Sequence, residues 1–158
     1  MEVQIAISYG QLCVFDPALD APYNDWGEGH VAQGFSWRPG SVSFATVDNV
    51  ASAVVHVICS SAPPITNGAA GAIRVPLDVS TRGLVEIGSI ASGVEVSLPA
   101  GSYALYFLEP QTVEDPFRLV FVPMDDVCAA VLQEGEHARK QDRYLMTAKP
   151  AQPRSSHI

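Results

Sequence analysis

The residues that could do chemistry are few in this sequence, and most are spaced wrongly for it. Gly27-Glu-Gly-His-Val-Ala32 has the outline of a dinucleotide-binding turn. Such a turn needs an apolar strand before it and a backbone free to approach a pyrophosphate. Here Pro22-Tyr-Asn-Asp-Trp26 comes first, and Glu28 would repel the phosphates. Gly34-Phe-Ser-Trp-Arg38 is half of a nucleophile elbow, with Arg38 where the second glycine belongs. No lysine closes a Gly-rich phosphate loop. His30, His56, His137 and His157 are not spaced from one another, or from a cysteine, as zinc ligands are. His56 and Cys59 lie three apart in an apolar run, so on a strand they face opposite ways and cannot share an ion. His56 is expected to be a hydrogen-bonded core or cross-strand residue. No D-x-[DN]-x-[DN]-G loop is present for calcium. A triad gathered from distant residues would leave no local trace and is the weakest reading. The expectation is a protein that is not an enzyme, with no cofactor and no metal.

What remains is charge and aromatic surface. The net charge is −8 and the isoelectric point about 4.7. A nucleic-acid binder needs a basic face to displace counterions from phosphates, so direct nucleic-acid binding is not expected. The charge is uneven: residues 1–126 hold 14 Asp/Glu against 4 Lys/Arg, and residues 127–158 hold 3 against 5. Acids gather in two places. Asp16, Asp20, Asp25 and Glu28 lie beside Trp26 and ahead of Trp37, and Glu109, Glu114, Asp115, Asp125 and Asp126 flank the last clear strand. They form either a solvated surface or a face that docks a basic partner. The candidate partner-binding residues are Asp20, Asp25, Trp26, Glu28, Trp37, Glu114, Asp115 and Asp125. The alternative is a non-catalytic module that stacks a small molecule or carbohydrate on Trp26 and Trp37.

The elements that must position these residues follow a period of two. Val3 to Ile7, Gln11 to Phe15, Val42 to Val47, Ala72 to Val79, Leu84 to Ile87, Val94 to Leu98, Tyr103 to Leu108 and Phe117 to Val122 read as strands. Ala53 to Cys59 is a continuous β-branched run and reads as a strand buried on both faces. Pro76 marks an edge or a bulge. Pro99-Ala-Gly101 predicts a hairpin between its flanking strands. Residues 16–40, rich in Pro and Gly, read as a long loop with at most one helical turn. Asp125 or Asp126 is placed to cap a short helix through Val127, Ala130 and Val131. No strand–helix alternation occurs, which excludes a doubly wound fold. The reading is an all-β protein, a single-domain antiparallel β-sandwich of about eight strands over residues 1–125. Residues 126–158 would be a short helix or coil extension and a flexible, loosely structured C-terminal tail.

Three cysteines, Cys13, Cys59 and Cys128, make an odd number without C-x-x-C spacing. They are expected to be free, buried structural thiols in a reducing compartment. Glu2 and the polar residues after it do not read as a signal peptide, and no apolar run is long enough for a membrane span. The expectation is a cytoplasmic protein that meets a membrane only through a partner.

The order of residues adds something that no single motif does. Ile7-Ser8-Tyr9-x-Gln11-x-x-Val14-Phe15, Asp25-Trp26 and Gly40-x-Val42-Ser43-Phe44 resemble the opening of the competence protein J family, the DNA-entry nuclease inhibitors. Val75-Pro76-x-x-Val79, Gly83-Leu84-x-Glu86-Ile87-x-Ser89-Ile90 and Leu98-Pro99-x-Gly101-x-Tyr103-x-Leu105 continue the likeness, which spans residues 3–123. The resemblance implies an acidic inhibitor that blocks a nuclease used in DNA uptake, or a toxin built on a related nuclease domain. It supplies no residue-level inhibitory motif.

Overall fold

The computed structural model describes residues 1–46, 50–90, 92–112 and 114–151. Val47 and residues 152–158, including His157, lie outside that set. Among the described residues, eleven strands and one short helix follow one another: β1 (Glu2–Ile7), β2 (Gln11–Phe15), α1 (Glu28–Gln33), β3 (Phe35–Arg38), β4 (Ser41–Ala45), β5 (Val50–Cys59), β6 (Gly71–Val79), β7 (Leu84–Ser89), β8 (Ser92–Ser97), β9 (Gly101–Glu109), β10 (Phe117–Pro123) and β11 (Ala130–Gln133). They make two sheets, ordered β1-β5-β10-β9-β6-β11 and β3-β4-β2-β7-β8. Every strand pair is antiparallel except β5 with β10. The all-β sandwich expected from the alternation is the fold.

The period of two explains the core. Val3, Ile5 and Ile7 of β1 turn inward, as do Leu105 and Phe107 of β9, and Phe117, Leu119 and Phe121 of β10. Leu12, Val14, Val42, Phe44, Val85 and Ile87 meet them from the second sheet. The residues between them on β9 and β10 (Ala104, Tyr106, Leu108, Val120 and Val122) form a second buried cluster with Ala72. Ala69, Val127 and Leu132 pack against that cluster from the side.

Several local expectations fail for physical reasons. The Pro99 turn does not make a hairpin, because β8 and β9 belong to different sheets. It is a corner between sheets, pinned where Tyr103 Oη donates to the Pro99 carbonyl at 2.6 Å. β5 is not buried on both faces. Ala53, Val55 and Val57 are buried, whereas Val54, His56 and Ile58 are only half-buried. His56 is the cross-strand residue expected of it, its Nε2 3.1 Å from Glu2 Oε1. The helix expected after Asp125 is replaced by β11, which pairs with Ala72–Arg74 of β6. Pro76 lies in the part of β6 that β11 does not cover, as an edge proline must.

The stretch read as a loop over residues 16–40 contains α1 and β3. It is fastened through two buried amides. Asn24 donates to the carbonyls of Ser36 at 2.9 Å and Ser41 at 3.2 Å and accepts from Arg38 Nε at 2.7 Å. Gln33 donates to Phe35 O at 2.9 Å and Leu145 O at 3.1 Å and accepts Leu145 N–H at 2.8 Å. Each amide therefore has partners on both its oxygen and its nitrogen, which a buried polar group requires. Residues 134–151 carry no helix or strand, yet they are tied to this stretch. Ala138 and Ala148 are buried. Tyr144 sits 5.8 Å from the Phe35 ring. The Ala148 N–H donates to Trp37 O at 2.9 Å.

The three cysteines are free, but only Cys13 is buried; Cys59 and Cys128 are exposed. Cys59 ends β5, beyond the last core position on that strand. Burial pushes the Cys13 thiol up to about 11, partly offset by the Ser43 hydroxyl 3.3 Å away. A thiol held protonated and shielded does not react. Thiol titration of the native protein should therefore count two fast-reacting groups, Cys59 and Cys128. The third should appear only on denaturation. Three fast-reacting thiols in the native state would contradict the burial of Cys13.

Candidate functional site

Strand directions decide which candidate residues can act together. β1 runs toward Ile7, which pairs with Val50 at the start of β5. β5 is parallel to β10, with Val55 opposite Phe117. The turn at Tyr9-Gly10 and the residues just before Phe117 therefore share one end of the sandwich. Glu114, Asp115 and Trp26 belong to this end, Trp26 because its indole N–H donates to Gln11 Oε1 at 3.1 Å. Asp20 and Asp125 belong to the other end. Asp20 follows the Phe15 end of β2, and Asp125 follows the seven-residue β10. Seven strand residues separate the two ends by roughly 20 Å. The structure does not bring Asp20 or Asp125 together with Trp26.

The Trp26 end has the richest geometry. Tyr9, Gly10, Gln11, Trp26, Val31 and Ala45 line an open recess of about 300 Å³. Trp26 is half-buried and meets the His30 ring edge-on at 6.5 Å. Tyr9 and Val31 are exposed. Asp25 and Glu28, on either side of Trp26 in the chain, are exposed too. α1 is held in place by Gln33 and closes on Gly34, whose φ of 88° is left-handed. A Cβ at Gly34 would lie 2.5 Å from His137 O, so glycine is needed there. The helix start is set by Gly27 N–H donating to His30 Nδ1 at 2.9 Å.

The other candidates separate. Trp37 turns its indole into the structure: Nε1 donates to Pro76 O at 2.7 Å across to the six-stranded sheet, and the ring packs against the main core. That commitment takes Trp37 out of any stacking platform shared with Trp26. Glu114 and Asp115 are exposed; Asp115 accepts from Thr112 Oγ1 at 3.2 Å and shares its cleft with Arg118 and Ile65. Asp125 joins Asp78, Asp126 and Met124 around a separate recess of about 450 Å³. The sequence reading missed Tyr9 and Val31. An aromatic immediately before a glycine, where a turn favours Asn or Asp, was the available signal.

Among the described residues, no group of three His, Cys, Asp or Glu side chains is arranged to hold a metal ion. Likewise no helix is long and apolar enough to cross a membrane.

The family model described as competence protein J (ComJ) matches residues 4–122. The chain belongs to the competence protein J family. A relative from Bacillus subtilis (strain 168), named DNA-entry nuclease inhibitor, is 26% identical over 102 residues, covering 65% of this chain and 76% of the relative. The solved structure of ComJ from Bacillus subtilis, described as the inhibitor of the DNA-degrading activity of NucA, superposes with a TM-score of 0.68. It is 25% identical and covers 78% of this chain and 96% of that one. The family match ends at Val122, so it leaves out β11 and the strap of residues 134–151, which holds α1 through Arg139 N–H to Ala32 O and Leu145 to Gln33.

One buried acid stands apart from the surface candidates. Glu109, at the end of β9, is 8% exposed, and its Oε2 has no hydrogen-bond partner among the described residues. It lines a recess of about 120 Å³ with Thr112 and Glu136. Burial pushes the carboxyl above the usual carboxylate range; His137 pulls it back and Glu136 raises it again. An acid with a raised folded pKa holds its proton more tightly folded than unfolded. Its contribution to stability is complete below the ordinary value near 4.5 and is lost as pH rises through the folded value. Glu109→Gln should therefore raise the melting temperature near pH 7 by a few degrees. It should change little at about pH 4. Equal melting temperatures at both pH values would contradict the assignment.

Proposed function

We propose that this protein binds a basic-grooved nuclease and blocks its action on DNA. The observation that carries the reading is membership of the competence protein J family, together with the likeness to a solved ComJ described as the inhibitor of the DNA-degrading activity of NucA. The charge supports it independently. A nuclease presents a basic groove to phosphates, and the body of this chain carries 14 acids against 4 bases up to residue 126. Complementary fields speed the encounter and hold the orientation. Occupying a groove requires no bond-making, so the inhibitor acts without a catalytic residue. The nuclease is one used in DNA uptake or a toxin of the same build.

The end of the sandwich that carries Trp26 supplies the contact, with Asp25 and Glu28 as rim charges and Trp26 as an anchor. Glu114 and Asp115 extend the acidic surface at the same end. Asp20 and Asp125, at the far end, contribute to the long-range field rather than to this contact. A carbohydrate-stacking role is less well supported, because Trp37 is spent on joining the sheets.

Trp is enriched among interface hot spots, which cost about 2 kcal/mol or more on truncation, and rim charges act mainly on association. Trp26→Ala should raise the dissociation rate of the nuclease complex on the order of tenfold or more. Asp25→Asn with Glu28→Gln should slow association and flatten its salt dependence, with the melting temperature unchanged. The check is plasmid degradation and binding kinetics with a purified NucA-type nuclease at several salt concentrations. A folded charge variant that associates as fast as the parent, with the same salt slope, would move the contact elsewhere.

A further inference from the structure

The turn joining β1 to β2 works against its own stability. The Gln11 N–H donates to Ser8 O at 3.3 Å, and the two residues between them, Tyr9 and Gly10, have φ values of 56° and 60°. Two successive positive φ values define the tight turn for which Asn-Gly is preferred. Gly10 takes this conformation freely. Tyr9 does not, because a bulky side chain in the left-handed region is an outlier. The turn is nonetheless over-determined. Ser89, buried beneath it, accepts the Ser8 N–H at 2.9 Å and donates to Gln11 O at 2.8 Å. Backbone strain of this kind persists where the surroundings enforce it, and it gathers at binding sites.

Burial does not explain why a tyrosine occupies the strained position. Tyr9 is 75% exposed, and Val31 beside the same recess is 62% exposed. Together with half-buried Trp26 they form an aromatic and apolar hollow. Asp25 and Glu28, on either side of Trp26 in the chain, are exposed, and residues 1–37 contain no Lys or Arg. Among the described residues, the one salt-bridge contact is His56 Nε2 with Glu2 Oε1 at 3.1 Å, and neither Asp25 nor Glu28 has a Lys or Arg partner. Lys149 approaches Asp25 through its backbone, its carbonyl accepting the Asp25 N–H at 2.8 Å.

Aromatic faces next to free carboxylates are the chemistry that recognises a long cationic side chain. The stem of an arginine lies on apolar surface, its guanidinium stacks on rings, and its charge looks for carboxylates. We propose that Tyr9, Trp26 and Val31 clamp an arginine projecting from the nuclease, with Asp25 and Glu28 facing its charged head. The clamp rests on the nuclease-binding reading above and names the side-chain chemistry that the reading leaves open. Tyr9 is retained at a cost in turn strain because its ring supplies one wall.

The test pairs stability with binding. Tyr9→Asn puts a favoured residue into the turn, and Tyr9→Phe keeps the ring. The probe is the purified NucA-type nuclease of the same genome, assayed on plasmid DNA and by binding kinetics. Tyr9→Asn should melt above the parent yet release the nuclease about tenfold faster or more. Tyr9→Phe should bind within a few-fold of the parent. If Tyr9→Asn binds as tightly as the parent, the clamp is wrong while the inhibitor reading stands. A Tyr9→Asn variant that melts below the parent removes the argument from strain. Self-association of the parent that Tyr9→Asn abolishes would make the occupant a second copy of this chain and overturn the proposal. If the parent leaves the nuclease active, the inhibitor reading falls and the clamp falls with it.

Discussion

The fold depends on the contact between the inner faces of its two sheets. Phe44 of the five-stranded sheet stacks on Phe107 of the six-stranded sheet, with centroids 4.5 Å apart and planes 5° from parallel. Phe117 continues the stack at 6.0 Å from Phe107. Fully buried rings of this size carry much of a core's stabilisation, and stacked pairs add about 0.5–1.5 kcal/mol beyond area. Phe44 pairs with Phe35 and Leu12 in its own sheet, which sets β3 and β2 around it. Phe35 in turn follows Gly34 and α1. The position of the helix and of Trp26 thus traces back, residue by residue, to where the phenylalanines meet.

Three devices carry that rigidity outward to the surface. Asn24 and Gln33 convert an irregular stretch into a fixed one by saturating a buried amide at each end of it. Trp37 ties the edge strand β3 to β6 across the gap between the sheets. The strap over residues 134–151 packs Tyr144 on Phe35 and closes over Gly34. A binding surface held in this way loses little conformational entropy when a partner arrives, which favours slow dissociation. The strap lies beyond residues 4–122, which the family model matches.

The strands were legible in the sequence because alternation at Val3-Ile5-Ile7 or Leu119-Phe121 is a local signal. Which sheet a strand joins is not local, and the Pro99 corner was read as a hairpin for that reason. β3 is only four residues long and sits among prolines and glycines, so its two buried positions, Phe35 and Ser36, made no pattern. The spacing of Val127, Ala130 and Val131 suits a helical period, and only pairing with β6 makes a strand of it. The candidate site was legible in composition and not in geometry. Asp20 and Glu28 are close in sequence, but the chain runs from one end of the sandwich to the other between them. Tyr9 looked like a pause between strands, since a Tyr-Gly pair lacks the usual turn chemistry.

The central claim is that the nuclease docks on the end of the sandwich formed by the β1–β2 turn and α1. Amide hydrogen exchange, measured on the whole protein with and without a saturating NucA-type nuclease, tests it most directly. The account predicts slowed exchange at residues 8–11 and 25–33, with little change at residues 99–102 and 123–127 at the opposite end. Protection confined to residues 99–102 and 123–127, with the Tyr9 turn and α1 exchanging as in the free protein, would contradict it.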